Sequence, residues 1–443
     1  MRDIVITLIA FGAAIYALRR PYVGILLWTW ISVMNPHRNT WGFAYNFPFA
    51  QLAAVATFIG MITGRDKIRM PLTAPVLLLL LLLAWMGLTT YLAIIPGESS
   101  NMLWRVFKIM LMIFVSAAII REERQVELMV WTIVLSLGYY GLKGGVFTVT
   151  GGGANRVWGP PDSFVEGNNE LALAIIITIP LMYFLTTRVH RKWIKYGLYG
   201  GMVLCTFSAI GSQSRGALLA ISAMAFALWT RSRNKFAFSM GLVLLIPAVL
   251  ALMPESWYER MNTIKTYEED ASAQGRLNAW SMAINIAKDR ITGAGFATAA
   301  PVIYQQYAPD PSYVIVAHSI YFQVLGEHGF TGLAIYLAFW MSTYLLAMRI
   351  SKRARYYPEL AWCADLARMI RVSLLGFFVG GAFLSLAYWD VPFYLMVLLV
   401  AMNELVRQHE AAVARGQRRQ QATPGRTGAD ASATPQPELP RTG

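Results

Sequence analysis

The stretch GRLNAWSMAINIAKDRITGAGF (275–296), followed after a polar loop by AHSIYFQVLGEHGFTG (317–332), is the part of the sequence around which the rest is organised. It places an arginine, a histidine and several hydroxyl and amide side chains beside an apolar run long enough to cross a bilayer. Ionisable groups at such a boundary often mark a functional site, so we expect any chemistry to lie here.

The composition indicates that most of the chain lies in a membrane. Of the 443 residues, 56% are hydrophobic and only 14% are charged, and the mean hydropathy is +0.46. The apolar runs lack the alternation of a membrane barrel, so the spans must be helices that satisfy their own backbone groups. The two cysteines, Cys205 and Cys363, lie in an apolar run and a basic loop, which argues against a structural disulfide or a thiolate metal site.

We therefore predict an all-α polytopic membrane protein with about 12 transmembrane helices and one large periplasmic loop. The predicted organisation is N-terminal transmembrane helices over 1–253, a periplasmic loop with amphipathic helices over 254–317, C-terminal transmembrane helices over 318–407 and a disordered cytoplasmic tail over 408–443. The predicted spans are 3–34 (broken at Pro21), 49–63, 72–95, 103–120, 127–149, 169–187, 196–211, 216–230, 236–253, 318–348, 370–388 and 391–406.

The net charge of +14 does not indicate nucleic-acid binding, because the basic residues concentrate in alternate loops. Five such loops, near 65–69, 121–124, 188–195, 231–235 and 349–371, contain 18 of the 38 lysines and arginines. By the positive-inside rule these loops face the cytoplasm, and 254–317 faces outward. The pair Arg19 and Arg20 does not fit if the first stretch crosses the membrane only once.

The segment 254–317 is far longer than an ordinary connection, which predicts either function or disorder. Residues from Asp270 to Gln274 would cap a helix starting near Gly275, on which Leu277 and Trp280 recur at helical spacing and from whose first turn Arg276 projects. The alternative is an interfacial amphipathic helix whose arginine meets lipid phosphate.

His318 begins the next apolar run, with Ser319, Tyr321 and Gln323 close by. A histidine among such groups can take a proton from a sugar hydroxyl at neutral pH, although a histidine at a membrane boundary is more often structural. Glu327, nine positions along, lies nearly opposite on a helix, so another outward carboxylate is the expected partner. Those candidates are Asp390, Asp162, Glu166 and Asp310.

The sequence SQSRGA (212–217) forms a short outward link into the next span. Ser214 can cap that helix, and Arg215 adds a guanidinium beside its positive end, which together suit a phosphate. The alternative is an arginine that extends to lipid headgroups. Arg215, Arg276 and His318 are distant in sequence yet fall on one side of the membrane. Two guanidiniums and a base suit group transfer from a lipid diphosphate.

No metal site or other cofactor is predicted. Glu268, Glu269 and Asp270 form an acidic run, which is more typical of a solvated loop or helix cap than of a divalent-cation site. Neither an Asp-x-Asp pair nor a cluster of histidines and cysteines supports one.

Three segments together resemble the O-antigen ligase and polymerase superfamily of bacterial membrane proteins, which also includes protein O-oligosaccharyltransferases. They are SQSRGA (212–217), RLNAW (276–280) with TGAGF (292–296), and AHSIYFQVLGEHG (317–329). The opening segments NPHR (35–38), WGF (41–43) and GRDK (64–67) resemble a subgroup described as O-glycosylation ligases.

The resemblance implies a GT-C-like, metal-independent glycosyltransferase that takes glycan from undecaprenyl diphosphate on the periplasmic face of a Gram-negative inner membrane. It gives His318 the role of base, and Arg215 and Arg276 the role of diphosphate ligands, and Ser319 fits the family's motif. The residues themselves add Ser214, Tyr321, Gln323, Asp390 and Trp280 as candidates for a supporting role. The expected reaction is ligation of a polysaccharide to lipid A-core.

An O-antigen polymerase and a protein O-oligosaccharyltransferase remain open, because they share the donor and differ in the acceptor. A flippase or transporter of lipid-linked glycan is the alternative of a different class. It would need ionisable groups at mid-membrane, where the predicted spans have few.

Overall fold

The computed structural model describes residues 1–64, 68–153, 155–231 and 271–421, with short pieces between 234 and 258. Every regular element in these parts is a helix. The α-helices, in chain order, are α1 (Arg2–Ala17), α2 (Pro21–Met34), α3 (Phe49–Thr63), α4 (Ala74–Tyr91), α5 (Pro96–Ile119), α6 (Glu123–Thr150), α7 (Asn168–Arg188), α8 (Lys192–Gly211), α9 (Arg215–Arg231), α10 (Ala271–Asp289), α11 (Pro301–Tyr307), α12 (Ile320–Ala354), α13 (Ala361–Gly381) and α14 (Asp390–Gln421). Short 3₁₀ helices cover Pro36–Asn39, Phe43–Asn46 and Pro358–Leu360.

The helical class is confirmed. Among the described residues four helices are both long and apolar enough to cross a membrane, namely α4, α5, α7 and α12, and α2, α3 and most of α9 are shorter apolar helices. The total of about 12 spans and the periplasmic placement of 254–317 remain predictions. The predicted span 236–253, the acidic residues Glu268, Glu269 and Asp270, and residues 422–443 fall largely or wholly outside the described residues.

The N-terminal stretch forms two antiparallel helices, with Arg19 and Arg20 in the turn between them. The hydroxyl of Thr63, the last residue of α3, donates to the carbonyl of Leu18 at 2.8 Å. At the opposite end, the backbone N–H of Ala44 donates to the Asp3 carboxylate at 3.2 Å. The arginine pair therefore lies beside the end of α3 that leads into the first basic loop, and a double crossing of the membrane by α1 and α2 stays a prediction.

The centre of the bundle is the first half of α14. Residues 390–403 are buried without interruption, including Val391, Tyr394 and Met402. A helix that is apolar on every face must be surrounded by other helices, and α14 packs against α12, α5, α6 and α13. The helix continues past the predicted boundary at 407 as far as Gln421.

The helix α12 is broken at Gly329, whose φ of 70° is left-handed. A break releases backbone carbonyls from the helical ladder, and inside a bundle these must find other donors. The N–H of Ala294 donates to the carbonyl of Gly326, and the N–H of Gly295 to that of Glu327, both at 2.9 Å. The TGAGF segment therefore supplies the hydrogen bonds that α12 loses at its kink.

The connection before α14 differs from the prediction. The span expected to run to residue 388 ends at Gly381, and residues 382–389, which we call the outer turn, are not helical. Trp389 and Asp390 are therefore not a two-residue turn between helices. A Cβ on Gly381 would touch Ile320, and one on Gly216 would touch Phe383, so the outer turn lies where α9, α12 and α13 meet.

Candidate functional site

The structure places His318 just outside a helix. The prediction that it begins the apolar helix is wrong, because α12 starts at Ile320 and Ser319 is its N-cap. His318 itself has a left-handed φ of 45°. This conformation costs a residue with a Cβ on the order of 1 kcal/mol, so surrounding contacts must hold it. Helical spacing counted from His318 therefore does not predict which side chains surround it.

Two contacts hold the backbone around His318. Its own N–H donates to the hydroxyl of Ser385 in the outer turn at 2.9 Å. The carbonyl of the preceding residue, Ala317, accepts a hydrogen bond from the indole N–H of Trp280 at 2.7 Å. The Trp280 ring also stacks on Phe322, with ring centroids 4.7 Å apart and planes 11° from parallel. Trp280 thus connects α10 to both sides of the turn that carries His318.

Arg276 lies on α10 and acts electrostatically on His318. The described helix already includes Ala271, ahead of the predicted start near Gly275, so Arg276 lies beyond its first turn. Burial, and then the nearby Arg276 charge, lower the pKa of the His318 imidazole below its usual 6.5. The ring is therefore neutral at pH 7, which is the form a proton acceptor requires.

The Arg276 charge also acts on the carboxylate of Glu170, in the first turn of α7. Glu170 is not among the site residues predicted from the sequence, although its position at the start of an apolar helix is a usable signal. Asn168, two residues before Glu170, donates from its side-chain amide to the carbonyl of Ser212 at 2.7 Å. The start of α7 is thereby joined to the SQSRGA segment.

Arg215 is the first residue of α9. As expected for a cap, the hydroxyl of Ser214 accepts a hydrogen bond from the backbone N–H of Ala217 at 3.2 Å. Gln213, which precedes the cap, is left-handed with φ 57°, so SQSRGA and the His318 segment enter their helices in the same way. A guanidinium at the positive end of a helix is well placed for an anion.

The remaining predicted supporting residues divide into two groups. Tyr321 donates from its hydroxyl to the carbonyl of Phe378 at 3.0 Å, and Gln323 accepts from the N–H of Ala387 at 3.4 Å. The buried hydroxyl of Ser319 has no hydrogen-bond partner within the described parts of the chain. All three belong to the turn around His318 or to the first turn of α12.

Asp390 belongs to a different neighbourhood. Its carboxylate interacts with the hydroxyl of Ser32 on α2 and with the Arg105 charge on α5, and it caps the start of its own helix. Arg105 in turn lies over the ring of Phe164 at 4.4 Å. Within the described residues, no contact joins Asp390 to His318.

His328 is fully buried and packs against its neighbours. Its Nδ1 and the Thr89 hydroxyl are 2.7 Å apart, and the ring meets Phe296 edge-on with centroids separated by 4.7 Å. Across the described residues no group of three or more histidine, cysteine or acidic side chains is arranged to hold a metal ion. Independence from metal remains a prediction.

Comparison with known proteins divides the chain into two parts. Residues 200–337 match the model of the O-antigen ligase family, and they contain Arg215, Arg276 and His318. This region belongs to the O-antigen ligase and polymerase superfamily. Residues 1–190 match a family of unknown function (DUF5935), so the resemblance of this part to O-glycosylation ligases stays a prediction. No curated protein matches the chain.

Membership of this superfamily implies activity of the glycosyltransferase type on lipid-linked glycan at a membrane. We expect such chemistry to use the groups around His318. A neutral imidazole is close to one guanidinium, and a second lies at a helix start joined to the same region.

Proposed function

We propose that the protein is an O-antigen ligase, which transfers a polysaccharide from undecaprenyl diphosphate to a sugar hydroxyl of lipid A-core on the periplasmic face of a Gram-negative inner membrane. The observation that carries this proposal is the hydrogen bond from Trp280 to Ala317, which joins the helix of Arg276 to the residue before His318 within the family-matched region. The Arg276 charge lowers the pKa of His318 from there. A cation that would bind the leaving diphosphate is thereby close to the base that would activate the acceptor.

In the proposed reaction the acceptor oxygen attacks the anomeric carbon of the donor sugar with inversion. A new glycosidic C–O bond forms while the bond from that carbon to the diphosphate oxygen breaks. The acceptor proton passes to the imidazole of His318, and undecaprenyl diphosphate leaves. Arg215 and Arg276 balance the negative charge that builds on the diphosphate as the bond breaks.

The conformation of His318 supports a role beyond packing. A residue held in a strained backbone conformation by a neighbouring turn is typical of functional sites. The buried Ser319 hydroxyl, which has no partner in the described residues, adds a polar group beside it that substrate could engage.

Related reactions remain as alternatives that differ in the acceptor. A polysaccharide polymerase would pass the glycan to a second lipid-linked chain, and a protein O-oligosaccharyltransferase would pass it to a serine or threonine. The acceptor is therefore the variable to test.

The test uses purified full-length protein in nanodiscs with an undecaprenyl-diphosphate glycan. Three parallel reactions contain lipid A-core, a serine-containing peptide or additional donor as acceptor, each with and without a chelator. Glycosylated lipid A-core in both chelator conditions is the expected result. Product only with peptide or with extended donor would replace the ligase assignment. Movement of labelled lipid across vesicles without any glycan product would indicate a flippase.

A further inference from the structure

Three hydrogen bonds, each involving at least one side chain, join the outer turn (382–389) to the start of α12. The His318 N–H donates to the Ser385 hydroxyl at 2.9 Å, and the Ala387 N–H donates to the Gln323 amide oxygen at 3.4 Å. The Tyr388 hydroxyl donates to the Glu327 carboxylate at 2.5 Å. One contact is made just before the N-cap of α12 and the other two are one turn apart on the helix, so the outer turn cannot shift without breaking several of them.

The deepest of these bonds is buried. Glu327 is 6% exposed and Tyr388 is 1% exposed. Burying a carboxyl group and a phenol costs free energy, because both lose their hydrogen bonds to water. The hydrogen bond between them only partly offsets that cost. Replacement of such a buried polar pair by apolar side chains of similar volume is often neutral or stabilising. The pair is therefore better explained by the geometry it imposes than by stability.

The far side of Glu327 is fixed independently of the outer turn. Its backbone carbonyl accepts from the N–H of Gly295, and the next carbonyl, that of His328, accepts from the indole of Trp85 at 2.9 Å. Because this backbone is held by α4 and the TGAGF segment, it is an immobile support. The Glu327 carboxylate, held in place by this backbone, fixes the position of Tyr388. Ser385 lies three residues before Tyr388 in the outer turn, so its position is fixed as well.

We propose that Glu327, Tyr388 and Ser385 are positioning residues that hold His318 in its left-handed conformation, with its ring directed at the reacting centre. The proposal rests on the proposed function in so far as His318 is the base. It explains why a carboxyl group that the proposed reaction does not use lies two turns into an apolar helix, paired with a phenol of the outer turn. Helical spacing places Glu327 nearly opposite His318, which argues against direct contact. In this proposal Glu327 acts on His318 through the outer turn instead.

The first test does not require activity. The chain has five histidines, so the ¹⁵N-histidine spectrum of protein in nanodiscs can be assigned for His318 by comparison with His318→Ala. Ser385→Ala and Tyr388→Phe should shift or broaden the His318 ring signals. Tyr140→Phe is the matched control, since it removes another buried tyrosine hydroxyl that donates to a carbonyl, that of Met34, at 2.7 Å. Unchanged His318 signals in both outer-turn variants would overturn the proposal.

The second test uses glycan transfer. Ser385→Ala and Tyr388→Phe should lower kcat about tenfold or more and leave the KM for donor within about twofold. Ser385→Thr and Glu327→Gln keep a hydroxyl and an acceptor oxygen, and should retain most of the activity that Ser385→Ala and Glu327→Leu lose. Ser373→Ala, which removes a buried hydroxyl bonded to Ile177 at 2.7 Å, should behave as wild type.

The two hypotheses fail in different ways. If wild-type protein transfers no glycan but the His318 signals move in the variants, the proposed function is wrong and the positioning stands. If wild-type protein transfers glycan and the outer-turn variants retain full kcat, the positioning role is wrong and the proposed function stands.

Discussion

The indole N–H of Trp280 donates to the carbonyl oxygen of Ala317 at 2.7 Å, so the helix that carries Arg276 is bonded directly to the residue before His318. The Trp280 side chain therefore fixes the helix that carries Arg276, the proposed diphosphate ligand, relative to His318, the proposed base. Such precise placement is what catalysis by proximity requires.

His318→Ala should reduce glycan transfer by roughly 10²-fold or more, because it removes the proposed general base. Transfer is measured with purified protein, and correct folding is checked by size-exclusion chromatography in detergent. Near-normal transfer by a well-folded His318→Ala protein would remove His318 from the mechanism.

Arg215→Ala and Arg276→Ala should each raise the KM for the lipid diphosphate donor by roughly tenfold or more, since each removes charge-assisted hydrogen bonds to an anion. Arg156→Ala is the control, because it deletes an exposed arginine from the loop that precedes α7. Donor binding is measured by titration of labelled lipid. Undiminished binding in both test variants would refute the diphosphate role.

The pH dependence of transfer should show that His318 acts as a neutral base. Its pKa lies below 6.5, by burial first and by Arg276 second, so kcat/KM should be flat near neutrality and fall only at lower pH. Arg276→Gln removes a cause that lowers the pKa, and the acid limb should therefore move to higher pH. A limb that stays in place, or moves down, contradicts the electrostatic link between the two residues. Arg156→Gln should leave it unmoved.

Gly329→Ala should destabilise the protein by about 1–3 kcal/mol. The residue has φ 70°, and a Cβ there would collide with the carbonyl oxygen of Ile291. Gly87→Ala on α4 is the control, since open space surrounds that position and alanine favours a helix by about 1 kcal/mol. Thermal unfolding followed by tryptophan fluorescence makes the comparison. Equal melting temperatures for the two variants would show that the kink is not required.

The N-terminal helices should cross the membrane as a pair. Trp41, which is 89% exposed, lies in the loop near Asp3, and Arg20 lies in the turn beside the end of α3. Trp41→Cys should react with a membrane-impermeant thiol reagent in intact spheroplasts, whereas Arg20→Cys should react only after lysis. The native cysteines are both buried and give a low background. Labelling of both positions before lysis would contradict the paired crossing.

The sequence by itself determined where the helices lie. The predicted spans 49–63 and 169–187 agree with α3 and α7 to within a residue at each end, because apolar length and polar boundaries are local properties that a bilayer makes decisive. The sequence alone also singles out Arg215, Arg276 and His318 as members of one group of motifs. Hydropathy predicts an end of α13 that is too late, because the outer turn is as apolar as a membrane span.

Only the tertiary structure decided how these parts meet. Tyr388 and Glu327 are 61 residues apart in sequence, and Ser385 is 67 residues from His318. Hydropathy and helical spacing carry no information about contacts at such separations. The left-handed turn at His318, the approach of Arg276 to Glu170 and the repair of the kink at Gly329 likewise depend on packing between distant helices. The sequence therefore specified the helices and the reactive side chains, and their packing specified the site.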